Sequence, residues 1–256
     1  MAEGVCEFCR GTGWRLKEQN SIVVAERCSC VRSREKVTLV QQARIPRRYE
    51  DCTFDNFLLP MCTDSQRVAK QIVDCFVRSY PAVATTGFLL MGPPGSGKTH
   101  LAVAAIKFLI QEKKVGCLFY DFRELLKMLQ SSYSKDAEFS EMSVLHPVLR
   151  TEVLLLDELG AKKMTPWLED ILSYILNYRY NEKLSTFITT NWMDEELLDT
   201  SRASNHAKEE TLDVRIGERL RSRLYEMCET IQIHPSSLDY RKILHARNKT
   251  RNLAGL

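Results

Sequence analysis

From Gly87 onward the chain alternates short apolar runs with longer segments of helical periodicity. The runs are GFLLM (87–91), CLFYD (117–121), VLLLD (153–157), TFITT (186–190) and TIQIH (230–234). Helical segments fill the gaps, among them 98–113, 122–132 and 167–182. Strands without a polar face need cover on both sides. The alternation therefore predicts an α/β fold, a five-stranded parallel sheet flanked by helices. Upstream, Val68, Ile72, Cys75 and Phe76 recur at helical spacing and predict a helix over 65–80 with that face buried. It belongs to a connector, 36–85, which also holds the Ile45-Pro46 break and the aromatics Tyr49, Phe54 and Phe57. Residues 1–35 carry cysteines and charge but few large apolar side chains. The core is placed at 86–235 and a tail at 236–256. Residues 194–212 are polar and read as a loop or short helix.

Composition narrows the class. With 256 residues, 44% apolar and 27% charged, the chain can bury one α/β core and carry a small extra module. A net charge of +3 gives no molecule-wide field toward nucleic acid. The tail is locally basic, with Arg241, Lys242, Arg247, Lys249 and Arg251 against Asp239. A solvated terminus is the plain alternative there. No apolar run approaches the roughly 18 residues that span a bilayer, and the first residues lack a signal-type apolar stretch. A cytoplasmic protein with no membrane partner is expected. Its nine cysteines are then reduced thiols or metal ligands. Cys52, Cys62, Cys75, Cys117 and Cys228 are scattered and read as small buried hydrophobes.

The strongest chemical signal is Gly92-Pro93-Pro94-Gly95-Ser96-Gly97-Lys98-Thr99, a complete Walker A pattern between a strand and a helix. Its glycines let backbone N–H groups face phosphates, and the helix N-terminus adds positive potential. Lys98 is expected on the β- and γ-phosphates of ATP, and the Thr99 hydroxyl on magnesium. Asp157-Glu158 follows the VLLL run, at the strand end where open α/β sheets bind ligands. Asp157 is a magnesium ligand in this reading, and Glu158 polarises the attacking water. A helix cap is the bland alternative for the pair. Asn191, closing Thr189-Thr190-Asn191, can orient that water, or it can simply form a turn.

Cys6-x-x-Cys9 and Cys28-x-Cys30 have the paired spacing of a four-thiolate zinc site. So short a segment cannot bury enough apolar surface to fold unaided, which favours zinc over free thiols in a loose tail. Nothing near these thiols suggests the redox chemistry of an iron–sulfur cluster. Cys-Glu-Phe-Cys-Arg-Gly-Thr-Gly also resembles one copy of the DnaJ-type cysteine repeat. One copy does not make that domain.

Taken together, these residues resemble the AAA+ ATPases of the DnaC, DnaI and IstB group. Asp157-Glu-Leu-Gly160 resembles their extended Walker B, Asn177-Tyr-Arg-Tyr180 a helix end, and Thr190-Asn191-Trp192 their sensor 1. Ile45-Pro-Arg-Arg-Tyr49 and the following Cys-Thr-Phe-Asp-Asn-Phe57 resemble their connector. Gly217-Glu-Arg-Leu-Arg-Ser-Arg-Leu224 resembles their box VII, which makes Arg223 the finger offered to a neighbouring subunit. Arg219 and Arg215 are expected one and two helical turns earlier on the same face. The segment after His234 is too short for a lid domain, so no lid arginine is expected. The N-terminal cysteine module is the expected partner contact by the same likeness.

The resemblance implies a helicase loader that binds and hydrolyses ATP. It would self-associate through its ATP sites and act on a replicative helicase and single-stranded DNA. An IstB-like helper working with a transposase is the nearest alternative. A non-hydrolysing nucleotide-dependent adaptor fits less well, because Glu158 and Arg223 are both present. A small-molecule kinase would need acceptor residues and a lid that the sequence lacks. Arg123, Lys127, Lys162, Lys163 and the basic tail are the candidate DNA groups, though Leu125, Leu126 and Leu129 beside them read as core.

Overall fold

The computed structural model describes residues 6–241 apart from 11, 20–21, 58–61, 83–86, 135–139, 195–210 and 238. The chain opens with an antiparallel hairpin, β1 (Trp14–Gln19) and β2 (Ile22–Arg27). Helix α1 (Ser29–Gln42) follows, then a 3-10 turn at Arg47–Tyr49. Helix α2 (Asp64–Ser79) starts on a capping box in which Thr63 and Gln66 satisfy each other's backbone donors. The core then runs β3 (Gly87–Met91), α3 (Lys98–Phe108), β4 (Cys117–Asp121), α4 (Phe122–Ser131), α5 (Glu141–Arg150) and β5 (Val153–Asp157). It closes with α6 (Pro166–Asn181), β6 (Ser185–Thr190), α7 (Leu212–Ile216), α8 (Glu218–Met227) and β7 (Cys228–Gln232).

The five expected strands form one parallel sheet in the order β4-β5-β6-β3-β7. Side-chain alternation divides the core between its two faces. Phe88, Leu90 and Phe187 face α2 and α3, where the Phe88 and Phe187 rings stack at 4.1 Å and Phe76 meets both edge-on. Leu89, Met91, Leu154, Leu156 and Ile188 face α4 to α8, with Leu125, Leu126 and Leu129 buried among them. All carboxyl strand ends point one way, which gathers Gly92, Asp157 and Thr189 at one rim.

Four expectations need correction. The buried face of α2 is Gln66, Ala69, Val73, Phe76 and Val77, while Val68 is 52% exposed, Cys75 is exposed and Ile72 is half-buried. The cause is Gln66, whose side chain turns inward to donate to the Ser96 carbonyl at 2.9 Å. Cys62, like Cys75, is not buried, whereas Cys52, Cys117 and Cys228 are. The last strand begins two residues early, because α8 runs straight into Cys228, which pairs with Gly87. Arg215 does not share a helix with Arg219 and Arg223, since Gly217 at φ +87° separates α7 from α8. Most of the 194–212 segment, and Lys242, Arg247, Lys249 and Arg251, lie outside the described residues.

Candidate functional site

The loop from Gly92 to Gly97 leaves β3 and feeds α3, as expected of a phosphate cradle. Gly97 sits at φ +96°, and a Cβ there would lie 2.6 Å from the Phe57 ring. Phe57 thereby clamps the loop from the connector side. Lys98 is 6% exposed, and its amine donates to the Gly92 and Pro93 carbonyls at 2.9 and 2.8 Å. Burial pushes its pKa down to about 8, only partly opposed by the charges of Asp157 and Glu158. An anionic phosphate chain would reverse that penalty.

Asp157 is 1% exposed at the end of β5. Its Oδ1 accepts from the Thr99 hydroxyl at 2.8 Å and from the Thr189 hydroxyl at 2.6 Å. Burial raises its pKa, and the two hydroxyls oppose the rise. Magnesium at this position would favour the ionised carboxylate. Glu158 stands at φ +60°, a strained setting for a non-glycine residue, and its N–H donates to Thr189 Oγ1 at 3.0 Å. Glu158 lines the cavity, and Arg123 Nη2, from outside the lining, lies 3.4 Å from its Oε2. Arg123, a candidate DNA group from sequence, is thus paired to the candidate base.

Several of these groups line one cavity of about 510 Å³, and Asp157 meets it through its hydrogen bonds to Thr99 and Thr189. The cavity contains Pro94, Gly95, Ser96, Gly97, Lys98, Thr99, Glu158, Thr189 and Asn191. Asn191 is exposed at the rim, and Thr189 makes the contact to Asp157. The connector adds Arg48, Tyr49 and Phe57, and the tail adds Tyr240 and Arg241. Tyr49 lies close enough to Asp157 and Thr99 for both to act on its phenol, whose pKa is raised chiefly by burial.

The segment after β7 folds back over the loop. Tyr240 N donates to the Gly95 carbonyl at 3.1 Å, and Asp239 packs where a Gly95 side chain would be. Arg241 thus brings a cation to the cavity. Sequence reasoning missed Thr189, Tyr49 and Arg241 as cavity residues. Each lies in a segment the sequence marks, the Thr-Thr-Asn strand end, the Arg-Arg-Tyr connector and the basic tail, but only the fold brings it to the cavity.

Arg223 is not among the cavity-lining residues. It lies on α8, with its guanidinium 4.5 Å from the Tyr180 ring centroid and 3.2 Å from Glu226. At the far end of the chain, Cys6, Cys9, Cys28 and Cys30 bring their four sulfurs within 4.8 Å of one another. The Cys6–Cys28 distance is 3.8 Å and the Cys9–Cys30 distance 3.4 Å. Tetrahedral zinc–thiolate bonds place sulfurs about 3.8 Å apart, so the cluster fits that ion. Cys28 caps α1, while a backbone turn from Cys6 O to Arg10 N carries the first pair.

Comparison with known proteins agrees with this geometry. The family model described as IstB-like ATP binding protein matches residues 11–246. The uncharacterized protein YqaM of Bacillus subtilis is 27% identical over 216 residues, 80% of this chain and 61% of that protein. The replicative helicase loader DnaI of Bacillus subtilis is 33% identical over 162 residues, 62% of this chain and 51% of that protein. The chain therefore spans between half and two thirds of these two relatives. A crystal structure of the DnaC helicase loader superposes with a TM-score of 0.59 at 33% identity, covering 73% of this chain and 99% of that one. Among the described residues no helix is long and apolar enough to cross a membrane.

Proposed function

The chain belongs to the family of IstB-like ATP binding proteins with an AAA+ P-loop core, and on that premise we propose that it is a helicase-loader-type ATPase. ATP would lie along Gly92–Thr99, with Lys98 on its β- and γ-phosphates. Thr99 and Asp157 would hold magnesium, which supplies the charge that neutralises the phosphates. Glu158 would polarise water, with Asn191 at its side. The observation that carries this reading is the hydrogen-bonded set Thr99–Asp157–Thr189 beside a buried Lys98, joined by the strained Glu158.

The site lacks an arginine from α8, and Arg223 is held on the surface. Both facts support a finger given in trans, so that hydrolysis depends on assembly of several copies. A replicative helicase and single-stranded DNA are the proposed targets, by likeness to DnaI and DnaC. The four-cysteine module holds zinc in this account and is the proposed partner contact. The family match over 11–246 favours one second reading, an IstB-like helper for a transposase.

A mixing experiment tests the site. Arg223→Ala should bind ATP nearly as wild type but hydrolyse it on the order of a thousandfold more slowly. Lys98→Ala should lose tight binding. Combined, the two can complete a site across their interface, and turnover should return. A mixture that assembles by light scattering yet stays inactive contradicts the trans finger.

A further inference from the structure

Arg221 is a buried arginine for which the nucleotide site has no use. Its side chain is 3% exposed. Nε and Nη2 donate to Oδ1 and Oδ2 of Asp194 at 2.8 and 2.6 Å, a bidentate pair. The Tyr225 hydroxyl donates to the same carboxylate at 3.1 Å, and the Tyr225 ring centroid lies 3.5 Å from the guanidinium. Burying such a pair costs desolvation that a well-packed apolar pair would avoid. What it supplies in return is fixed geometry, because a fork on a carboxylate permits one orientation.

The two ends of the bridge show what is fixed. Arg221 stands two residues before Arg223 on α8. Asp194 ends the segment that starts at Thr189, whose hydroxyl holds Asp157. Between them, Thr190 Oγ1 donates to the Leu159 carbonyl at 2.8 Å, and the Met193 carbonyl accepts from Leu212 N at 2.9 Å. One six-residue segment therefore touches the candidate magnesium carboxylate at one end and the finger helix at the other. Among the described residues Arg223 itself is held by exposed partners, Tyr180 and Glu226. The bidentate anchor of its helix is the Asp194 bridge.

We propose that Asp194 and Arg221 are a positioning pair that sets Arg223 for the neighbouring subunit's ATP. The proposal rests on the reading of Arg223 as a finger in trans.

Asp194→Asn removes the charge and keeps the shape; Arg221→Lys keeps the charge and loses the fork. Both should bind ATP as wild type and melt as folded proteins. Both should hydrolyse more slowly, on the order of a hundredfold, as expected of a misplaced catalytic group. Mixed with excess Lys98→Ala subunits, each should regain turnover, because a sound finger then meets a sound pocket. Mixed with Arg223→Ala, neither should. Wild-type turnover in both variants overturns the proposal. So does a defect that Lys98→Ala fails to relieve while it relieves Arg223→Ala in parallel, for the bridge would then act within its own subunit. If Arg223→Ala is not relieved either, the trans finger falls and this proposal falls with it.

Discussion

Burial changes the charge of Lys98 at the heart of the cavity. Its pKa is pushed down to about 8 by burial, from an ordinary value of 10.5. A base with a depressed pKa is charged only below that value, so burial of the charged amine costs stability below about pH 8. That cost is relieved as pH rises toward 10.5. Bound phosphates favour the charged amine, so ATP binding above pH 8 must take up a proton. Affinity should therefore weaken as pH rises from 8 toward 10.5. Calorimetry at pH 9 in two buffers of different ionisation enthalpy measures that uptake. A proton count of zero contradicts the account of Lys98. The residues Gly92 to Thr99 were legible because the motif is contiguous. Thr189 was not, because it reaches Asp157 only through the β5–β6 pairing that sets Leu156 beside Ile188. Arg123 and Arg241 likewise arrive through the fold, from the start of α4 and the segment after β7.

At the scale of elements, Arg179 on α6 joins three of them. It is fully buried, with no carboxylate partner among the described residues. It donates to the carbonyls of Val148 and Thr151 at 2.9 Å each, and to Thr186 Oγ1 at 3.0 Å. Those carbonyls close α5, and Thr186 opens β6, so one guanidinium satisfies a helix end and ties it to the sheet. Arg179→Met would leave several buried acceptors bare, at a cost of about 3 kcal/mol or more. Urea denaturation measures it, and a loss below about 1 kcal/mol contradicts this role. The resemblance of Asn177-Tyr-Arg-Tyr180 to a family motif gave no hint of the division of labour: Arg179 braces the core and Tyr180 supports Arg223. The strands and the helices around them were legible from apolar runs and period. The hairpin was not, since Trp14, Leu16 and Val23 are exposed and form no core pattern. Nor was α5, which carries Pro147 inside it, a residue that ordinarily signals a break.

Across the whole molecule, two chemistries sit on separate scaffolds. The sheet carries the cavity and both hydrophobic clusters, while the four cysteines hold a hairpin that buries little beyond its own thiols. Purified protein should carry about one equivalent of zinc, as a closed four-thiolate site does. A Cys28→Ser, Cys30→Ser variant should lose it yet still melt cooperatively, because neither hydrophobic cluster contains a hairpin residue. Metal-free protein isolated under reducing, zinc-replete conditions contradicts the zinc assignment. Hydrolysis at the rim of the sheet depends on Glu158 in this reading, and Glu158→Gln isolates its role. The amide keeps the side chain's shape and removes its basicity. Measured side by side, ATP affinity should match wild type while turnover falls by a hundredfold or more, on the order expected for loss of a general base. Turnover that stays near the wild-type rate contradicts the account, because another group must then activate the water.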